Sequence, residues 1–176
     1  MKNVTPIREG LGKLPIRPVY LVSSEYCGKK NIISVGMFAY FSGKPIVVGV
    51  GIAPSRFSFE LIRKSGAYVV NAVDEKLVDA VRVCGENSGR DVDKFELAKL
   101  TAVSGSKVNA PLIGESPLSA ECKVVREVEA GDHVWFLGEV MAIHVREDYD
   151  WKDGLLFKWV GGEGFFFKVG RKVGDY

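Results

Sequence analysis

The residues best placed for chemistry lie in segment 84–95, which reads CGENSGRDVDKF. It joins a small-residue turn, Ser88-Gly89, to a cation, Arg90, and to an acid–base pair, Asp93 and Lys94, where a short helix is predicted to start. Amides, hydroxyls and a guanidinium gathered at a helix start are well suited to bind an anion such as phosphate. The sequence therefore predicts an anion site here, and the plainer alternative is a turn that carries a surface arginine.

A second segment of similar character, SRFS at 55–58, lies at the start of another predicted helix. Its Ser55, Arg56 and Ser58 supply two hydroxyls and a guanidinium, which again suit an anion. The alternative is a helix cap, Ser55 or Ser58, beside a solvated arginine.

The strand at 31–35, NIISV, carries small polar residues among apolar ones. One interpretation is a sheet strand with Ser34 on its polar face. The other is a strand end whose amides and Ser34 hydroxyl approach a flat ligand. His133 follows a predicted hairpin turn, where a lone histidine is structural more often than catalytic.

Other kinds of site find little support. The run from Gly49 to Pro54 has proline where a dinucleotide-binding motif needs its third glycine. The three cysteines form no C-x-x-C pair, so we expect no metal site and reduced thiols in a cytoplasmic protein. No Ser/His/Asp set or pair of carboxylates stands out.

Composition limits the partners. The 176 residues are 47% hydrophobic and 26% charged, with a net charge of +2. This is ordinary for a globular protein and too mild to indicate nucleic-acid binding. The longest apolar run, at 46–53, is far shorter than the roughly 18 residues of a membrane helix, and no signal peptide is visible, so no membrane partner is expected.

The pattern of elements predicts one domain over 1–176, mostly β with helical insertions. Strands are predicted at 18–23, 31–38, 45–52, 68–71 and 155–160, and helices at 58–65, 75–83 and 91–100. The clearest signal is the pair of segments 119–129 and 133–146, because the short link Ala130-Gly131-Asp132 predicts an antiparallel hairpin. Strands joined as hairpins favour an antiparallel barrel over a doubly wound sheet.

With these motifs in their order, the chain resembles the flavin reductase-like proteins, an FMN-binding split-barrel family that includes flavoredoxin. The similarity covers nearly the whole chain. Its specific parts are segment 84–95 and the run from Gly131 to Val140, and the weaker ones include Pro45-Ile46-Val47-Val48, Ser65-Gly66-Ala67-Tyr68 and Glu121-Cys122.

The resemblance implies an antiparallel split β-barrel that holds FMN without a covalent link, near the interface of a homodimer. Asn31, Ile32, Ile33, Ser34 and Val35 would meet the isoalloxazine. Ser55, Arg56 and Ser58 would meet the phosphate or the ribityl chain, and Ser88, Gly89, Arg90 and Lys94 would complete the phosphate site. His133 lies where the family commonly has a histidine near the flavin, which makes it the catalytic candidate.

Three functions then remain open. The first is an FMN-dependent oxidoreductase that passes a hydride from NADH or NADPH to the flavin, and electrons on to free flavin, ferric iron or a partner protein. The second is a flavoredoxin-like electron-transfer protein that a protein donor reduces. The third is a split-barrel protein without redox function that binds another phosphate ligand.

Overall fold

The computed structural model describes residues 4, 6, 7, 14, 16–160, 163–171 and 173. Its strands are antiparallel and lie in three sheets. The largest has the order β3-β2-β6-β9-β10-β5-β4, and the smaller ones are β1-β11-β12 and β7-β8. The strands are β1 (Arg17–Pro18), β2 (Tyr20–Tyr26), β3 (Lys29–Val35), β4 (Phe38–Gly43), β5 (Ile46–Ile52), β6 (Ala67–Ala72), β7 (Ala102–Val103), β8 (Leu112–Ile113), β9 (Leu118–Ala130), β10 (His133–Val145), β11 (Leu155–Val160) and β12 (Glu163–Lys168).

Three α-helices interrupt the described strands: α1 (Phe57–Ser65), α2 (Val78–Glu86) and α3 (Lys94–Leu97). Two short 3-10 turns, Glu75–Leu77 and Trp151–Asp153, complete the described regular structure. The prediction of a mostly β chain with helical insertions is therefore confirmed. In the described residues, no helix has both the length and the apolar character that a membrane crossing needs.

The core lies on both faces of the large sheet. Successive side chains of a strand point to opposite faces, so neighbours on β2 pack in different clusters. Val22 packs with Ile62, Phe136 and Tyr68 on the face that α1 covers, whereas Leu21 packs in the cluster that α2 covers. Burying each large apolar side chain stabilises the fold by about 1.5–3 kcal/mol, so the two clusters fix α1 and α2 against the sheet.

The predicted hairpin is confirmed as β9 and β10, with Gly131 at a φ of 65° in the turn between them. The predicted helix stop at Gly66 is also confirmed, because Gly66 adopts a φ of 68° and its amide donates to the Ile62 carbonyl. The predicted cap is wrong: Arg56 occupies the N-cap position, and no side chain caps α1.

The predicted helix at 91–100 is wrong in extent, since α3 has four residues. The Asp93 carboxylate accepts hydrogen bonds from the amides of Phe95 and Glu96, which starts the helix at Lys94. Lys99 has a φ of 55° and ends the helical path. Segment 84–95 therefore runs from the end of α2 through a turn, and Ser88, Gly89 and Arg90 do not stand at a helix start.

Candidate functional site

Most of the predicted anion-binding residues line one small cavity of about 130 Å³, which we call the polar chamber. It lies between β3, the start of α1 and the turn after α2. From the sequence-predicted set the chamber gathers Asn31, Ile33, Ser34, Ser55, Arg56, Ser58, Ser88, Gly89, Arg90 and Lys94. Residues from three distant segments thus meet at one point, an arrangement that only the family resemblance implied.

The floor of the polar chamber is a buried amide. Asn31 is 2% exposed, and its Nδ2 donates a hydrogen bond of 2.7 Å to Ser58 Oγ. Its Oδ1 is buried, and no described residue donates a hydrogen bond to it. A Cβ at Gly89 would lie 2.0 Å from this oxygen, so only glycine lets the turn approach so closely. An unpaired buried acceptor is costly, so the chamber is suited to a ligand that donates hydrogen bonds.

A buried ammonium group lies in the same wall. Lys94 is 4% exposed, and its Nζ donates to the carbonyl oxygens of Ile32 at 2.9 Å and Cys84 at 2.7 Å. Burial is the main cause that lowers the pKa of Lys94. Neither hydrogen-bond partner carries a charge, so an anion in the chamber would compensate the buried positive charge.

Arg90 ties the turn after α2 to the start of α1. Its Nη1 donates to the Ser55 carbonyl at 3.1 Å, and its guanidinium lies over the Phe57 ring, 5.2 Å from the ring centre. The ion pair with Glu60, at 3.4 Å, joins two solvent-exposed groups and contributes little. The guanidinium is therefore positioned at the chamber while remaining able to bind a ligand.

A second, larger cavity of about 630 Å³ adjoins the polar chamber, and we call it the apolar cleft. The two share Ile33, Ser34, Arg56 and Gly85 in their walls, so they form one continuous depression. Other residues of the cleft wall include Val19, Val35, Met37, Ile52, Val81, Phe157 and Phe166. A cavity of this size and character can hold a flat organic ligand.

His133 lies in the wall of the apolar cleft, directly after the Gly131 turn. Its Nδ1 is 2.7 Å from Asp132 Oδ1, and its side chain is 25% exposed. The hydrogen bond from His133 is the main cause that lowers the pKa of Asp132. Asp132 is 92% exposed, so its contact with the imidazole is weak, and Nε2 is left for other contacts.

Two predicted residues lie differently from the others. The Ile32 side chain is fully buried in the core under α2 and lines neither cavity, so only its carbonyl, which binds Lys94, reaches the site. Val35 lines the apolar cleft but not the polar chamber. Strand alternation puts Ile32 and Ser34 on the face of β3 opposite to Asn31, Ile33 and Val35, and of these two only Ser34, nearer the end of the strand, reaches the cavities.

The sequence reasoning missed the far wall of the apolar cleft, which is formed by Arg17, Arg82, Phe157 and Phe166. No local motif marks these residues. Their meeting depends on the pairing of β1 with β11, which joins distant parts of the chain. The nearest signal in the sequence is the aromatic run at 165–167, which by itself indicates only a strand.

The sequence model of the flavin reductase like domain matches residues 13–159 of this chain. The chain belongs to the flavin reductase like family. A relative from Aeropyrum pernix, an uncharacterized protein, is 37% identical over 136 residues, which are 77% of this chain and 51% of that protein. This chain thus spans about half of that relative's length.

Two further proteins are similar to this family member. It is 28% identical over 145 residues to the NADH-dependent FMN reductase AsuE2 of Streptomyces nodosus subsp. asukaensis, covering 81% of this chain and 76% of that enzyme. Its structure is similar to that of flavoredoxin of Desulfovibrio vulgaris (Miyazaki F), with a TM-score of 0.85, 26% identity, and coverage of 99% of this chain and 97% of that one. The predicted fold, an antiparallel split β-barrel of the FMN-binding type, is confirmed by this similarity.

Proposed function

We propose that this flavin reductase-like protein binds FMN without a covalent link and acts as an oxidoreductase. NADH or NADPH would give a hydride to the bound flavin, and electrons would pass on to free flavin, ferric iron or a partner protein. The observation that carries the proposal is the joining of the polar chamber, with its buried Lys94, to the apolar cleft. A phosphorylated chain that ends in a flat ring system requires that combination.

The residues of the depression fit FMN by their chemistry. Lys94, Arg90 and Arg56 supply positive charge for the phosphate, and Ser55, Ser58 and Ser88 supply hydroxyls. The unpaired Asn31 Oδ1 suits a hydroxyl donor such as those of the ribityl chain. The apolar cleft along Ile33, Ser34 and Val35 suits the isoalloxazine.

Bound FMN would supply the hydride and electron chemistry, and the protein supplies binding, orientation and the field around the ring. Val35, Ile52 and Val81 make part of the cleft wall apolar. His133 contacts Asp132 through Nδ1 and leaves Nε2 for a ligand at the cleft edge. In the proposed reaction His133 is the catalytic candidate.

The similarity to flavoredoxin supports a second candidate, an FMN protein that takes its electrons from a protein donor. A third candidate, a protein without redox function that binds another phosphate ligand, is compatible with the polar chamber. It leaves the apolar cleft without a role.

An absorption spectrum of the purified protein with added FMN, before and after anaerobic NADH or NADPH, tests the proposal. We expect flavin bands that stay with the protein through gel filtration and bleach with a nicotinamide donor. Bound bands that persist with both donors would favour electrons from a protein. A colourless protein that cannot be reconstituted with FMN would favour the function without redox chemistry.

We also propose that the chain forms a homodimer through the edge of the large sheet at β4. Tyr40 and Phe41 on β4 are 64% and 50% exposed, and Ile46 at the start of the neighbouring β5 is 43% exposed. An exposed edge strand that carries large apolar side chains favours pairing with a second copy.

A further inference from the structure

The far wall of the apolar cleft is a continuous row of four side chains, which we call the arginine–phenylalanine row. Arg17 on β1 lies directly opposite Phe157 on β11, and Phe157 lies opposite Phe166 on β12. Residues directly opposite each other in an antiparallel pair share a face of the sheet. Arg82 reaches the same row from α2, and its guanidinium carbon lies 5.7 Å from the centre of the Phe166 ring.

The row combines aromatic surface with two cations. The rings of Phe157 and Phe166 are 5.3 Å apart between centres and tilted by 54°. Arg17 and Arg82 flank them, and all four side chains line the cleft. A guanidinium beside an aromatic face is suited to a ligand that has both a flat ring and an anionic group.

Neither arginine belongs to the polar chamber, which has Arg90 and Lys94 of its own. An FMN phosphate in the polar chamber would therefore not need contacts from Arg17 or Arg82. The remaining charged residues of the cleft wall are Arg56 and one acid, Glu86, so among the described residues the cleft favours anions. The ion pair of Arg82 with Asp79, at 3.3 Å, is exposed and too weak to hold the guanidinium away from a ligand.

We propose that Arg17 and Arg82 bind the 2′-phosphate of NADPH and thereby favour NADPH over NADH. The inference rests on the proposed function, because it assigns the donor of that same site. NADPH carries one phosphate more than NADH, so it gains more from two additional guanidinium groups. The rings of NADPH would lie in the apolar cleft, where they could contact the Phe157 and Phe166 side chains.

The test is anaerobic stopped-flow reduction of the FMN-loaded protein with NADPH and, separately, NADH. The donor dissociation constant comes from the concentration dependence of the reduction rate. We expect Arg17→Gln and Arg82→Gln each to raise the dissociation constant of NADPH about tenfold, the effect of one lost charge-assisted contact. The constant for NADH should rise less, so the preference for NADPH falls.

Three control variants sharpen the test. Arg126→Gln removes a charge from an exposed site on β9 outside both cavities and should change neither constant. Arg82→Lys keeps the charge without the planar fork and should recover part of the NADPH affinity. Glu86→Gln removes the acid from the cleft wall and should tighten NADPH binding.

A ratio of the two dissociation constants that stays within about twofold of the wild-type ratio in both variants would overturn the inference. If neither donor reduces the wild-type flavin, the proposed function fails instead. Equilibrium dialysis of NADP⁺ and NAD⁺ against the FMN-loaded protein then decides the subsite. Weaker NADP⁺ binding in Arg17→Gln and Arg82→Gln than in the wild-type protein supports the proposed role of these arginines. Binding that is equal in wild type and variants, or undetectable in all of them, rejects this role.

Discussion

Asn31 and Ser58 join β3 to the first turn of α1 through a hydrogen bond of 2.7 Å from Nδ2 to Oγ. The bond fixes the Asn31 amide, so its unpaired Oδ1 faces the backbone at Gly89. Both side chains are almost fully buried, and neither can turn to another partner without cost. The hydrogen bond between Asn31 and Ser58 therefore helps to hold the polar chamber in shape.

This arrangement predicts that Gly89→Ala damages the chamber. The new methyl group would lie 2.0 Å from Asn31 Oδ1 and 2.5 Å from its Cγ, so the amide or the turn must move. We expect a loss of about 1–3 kcal/mol in the free energy of unfolding, the usual cost of overpacking. The dissociation constant of FMN, measured by flavin fluorescence, should rise at least tenfold.

Gly170→Ala is the matched control, because no atom of a described residue lies within 4 Å of a Cβ at that position. It should leave both unfolding and FMN binding unchanged. Wild-type FMN affinity in Gly89→Ala would show that the chamber does not bind the cofactor.

Removing the two arginines of the chamber should lower the affinity for FMN through its phosphate alone. Arg56→Ala together with Arg90→Ala removes two guanidinium groups from the chamber wall. Each charge-assisted contact is worth roughly 1.5–3 kcal/mol, so FMN affinity should fall by at least a hundredfold. Titrations with FMN and with riboflavin, which lacks the phosphate, measure this loss.

Riboflavin affinity should change little in the double variant. An equal loss for FMN and riboflavin would mean that the arginines hold the loop rather than the phosphate. Arg63→Ala removes an exposed arginine of α1 that pairs with Glu127 outside the chamber, and it should bind FMN like the wild-type protein.

Much of the fold could be predicted because its signals are local. Alternation along β9 and β10 and the glycine at position 131 specify the hairpin, and Gly66 ends α1 by its left-handed conformation. The sequence does not predict β4, because its pattern indicates one continuous strand over residues 31–38. The structure breaks it after Val35, and Phe38 begins a strand that pairs with β5 instead.

The candidate site likewise has one part that local sequence signals predict and one part that they do not. Most of the chamber residues stand in two short polar segments, 55–58 and 84–95, whose composition indicates an anion site. The arginine–phenylalanine row has no such mark, because it exists only when β1 pairs with β11 and α2 packs beneath them. Long-range pairing of this kind cannot be read from residue spacing.

The proposed homodimer predicts that Tyr40→Glu separates the two copies. Tyr40 is 64% exposed on the edge strand β4, so the substitution spares the core while placing a charge in an apolar contact. Light scattering at micromolar concentration should report a dimer for the wild-type chain and a monomer for the variant. Val103→Glu, at a 43% exposed site on β7, should remain a dimer. A wild-type monomer would contradict the proposal.

Glu121 holds a loop whose residues line neither the polar chamber nor the apolar cleft. Its carboxylate is fully buried and accepts hydrogen bonds from Ser106 N and Oγ, Lys107 N and Val108 N at 2.7–2.9 Å, while His144 Nε2 lies 2.7 Å away. Burial alone would raise the pKa of Glu121. The hydrogen bonds from Ser106, His144 and the amides outweigh burial and lower this pKa to about 2.

This carboxylate predicts a pH-dependent stability. The folded pKa of Glu121 lies below the ordinary value of 4.5, so its contribution is complete above about pH 4.5 and is lost as the pH falls toward 2. At pH 7, Glu121→Gln should cost roughly 3 kcal/mol, because an amide NH₂ must face backbone donors. Urea unfolding from pH 7 to pH 2 should show that the difference in free energy of unfolding between wild type and Glu121→Gln becomes smaller below pH 4.5. Glu115→Gln, at an exposed carboxylate that binds Thr101, should cost less. If this difference in free energy of unfolding stays constant across the range, Glu121 is not ionised in the folded protein.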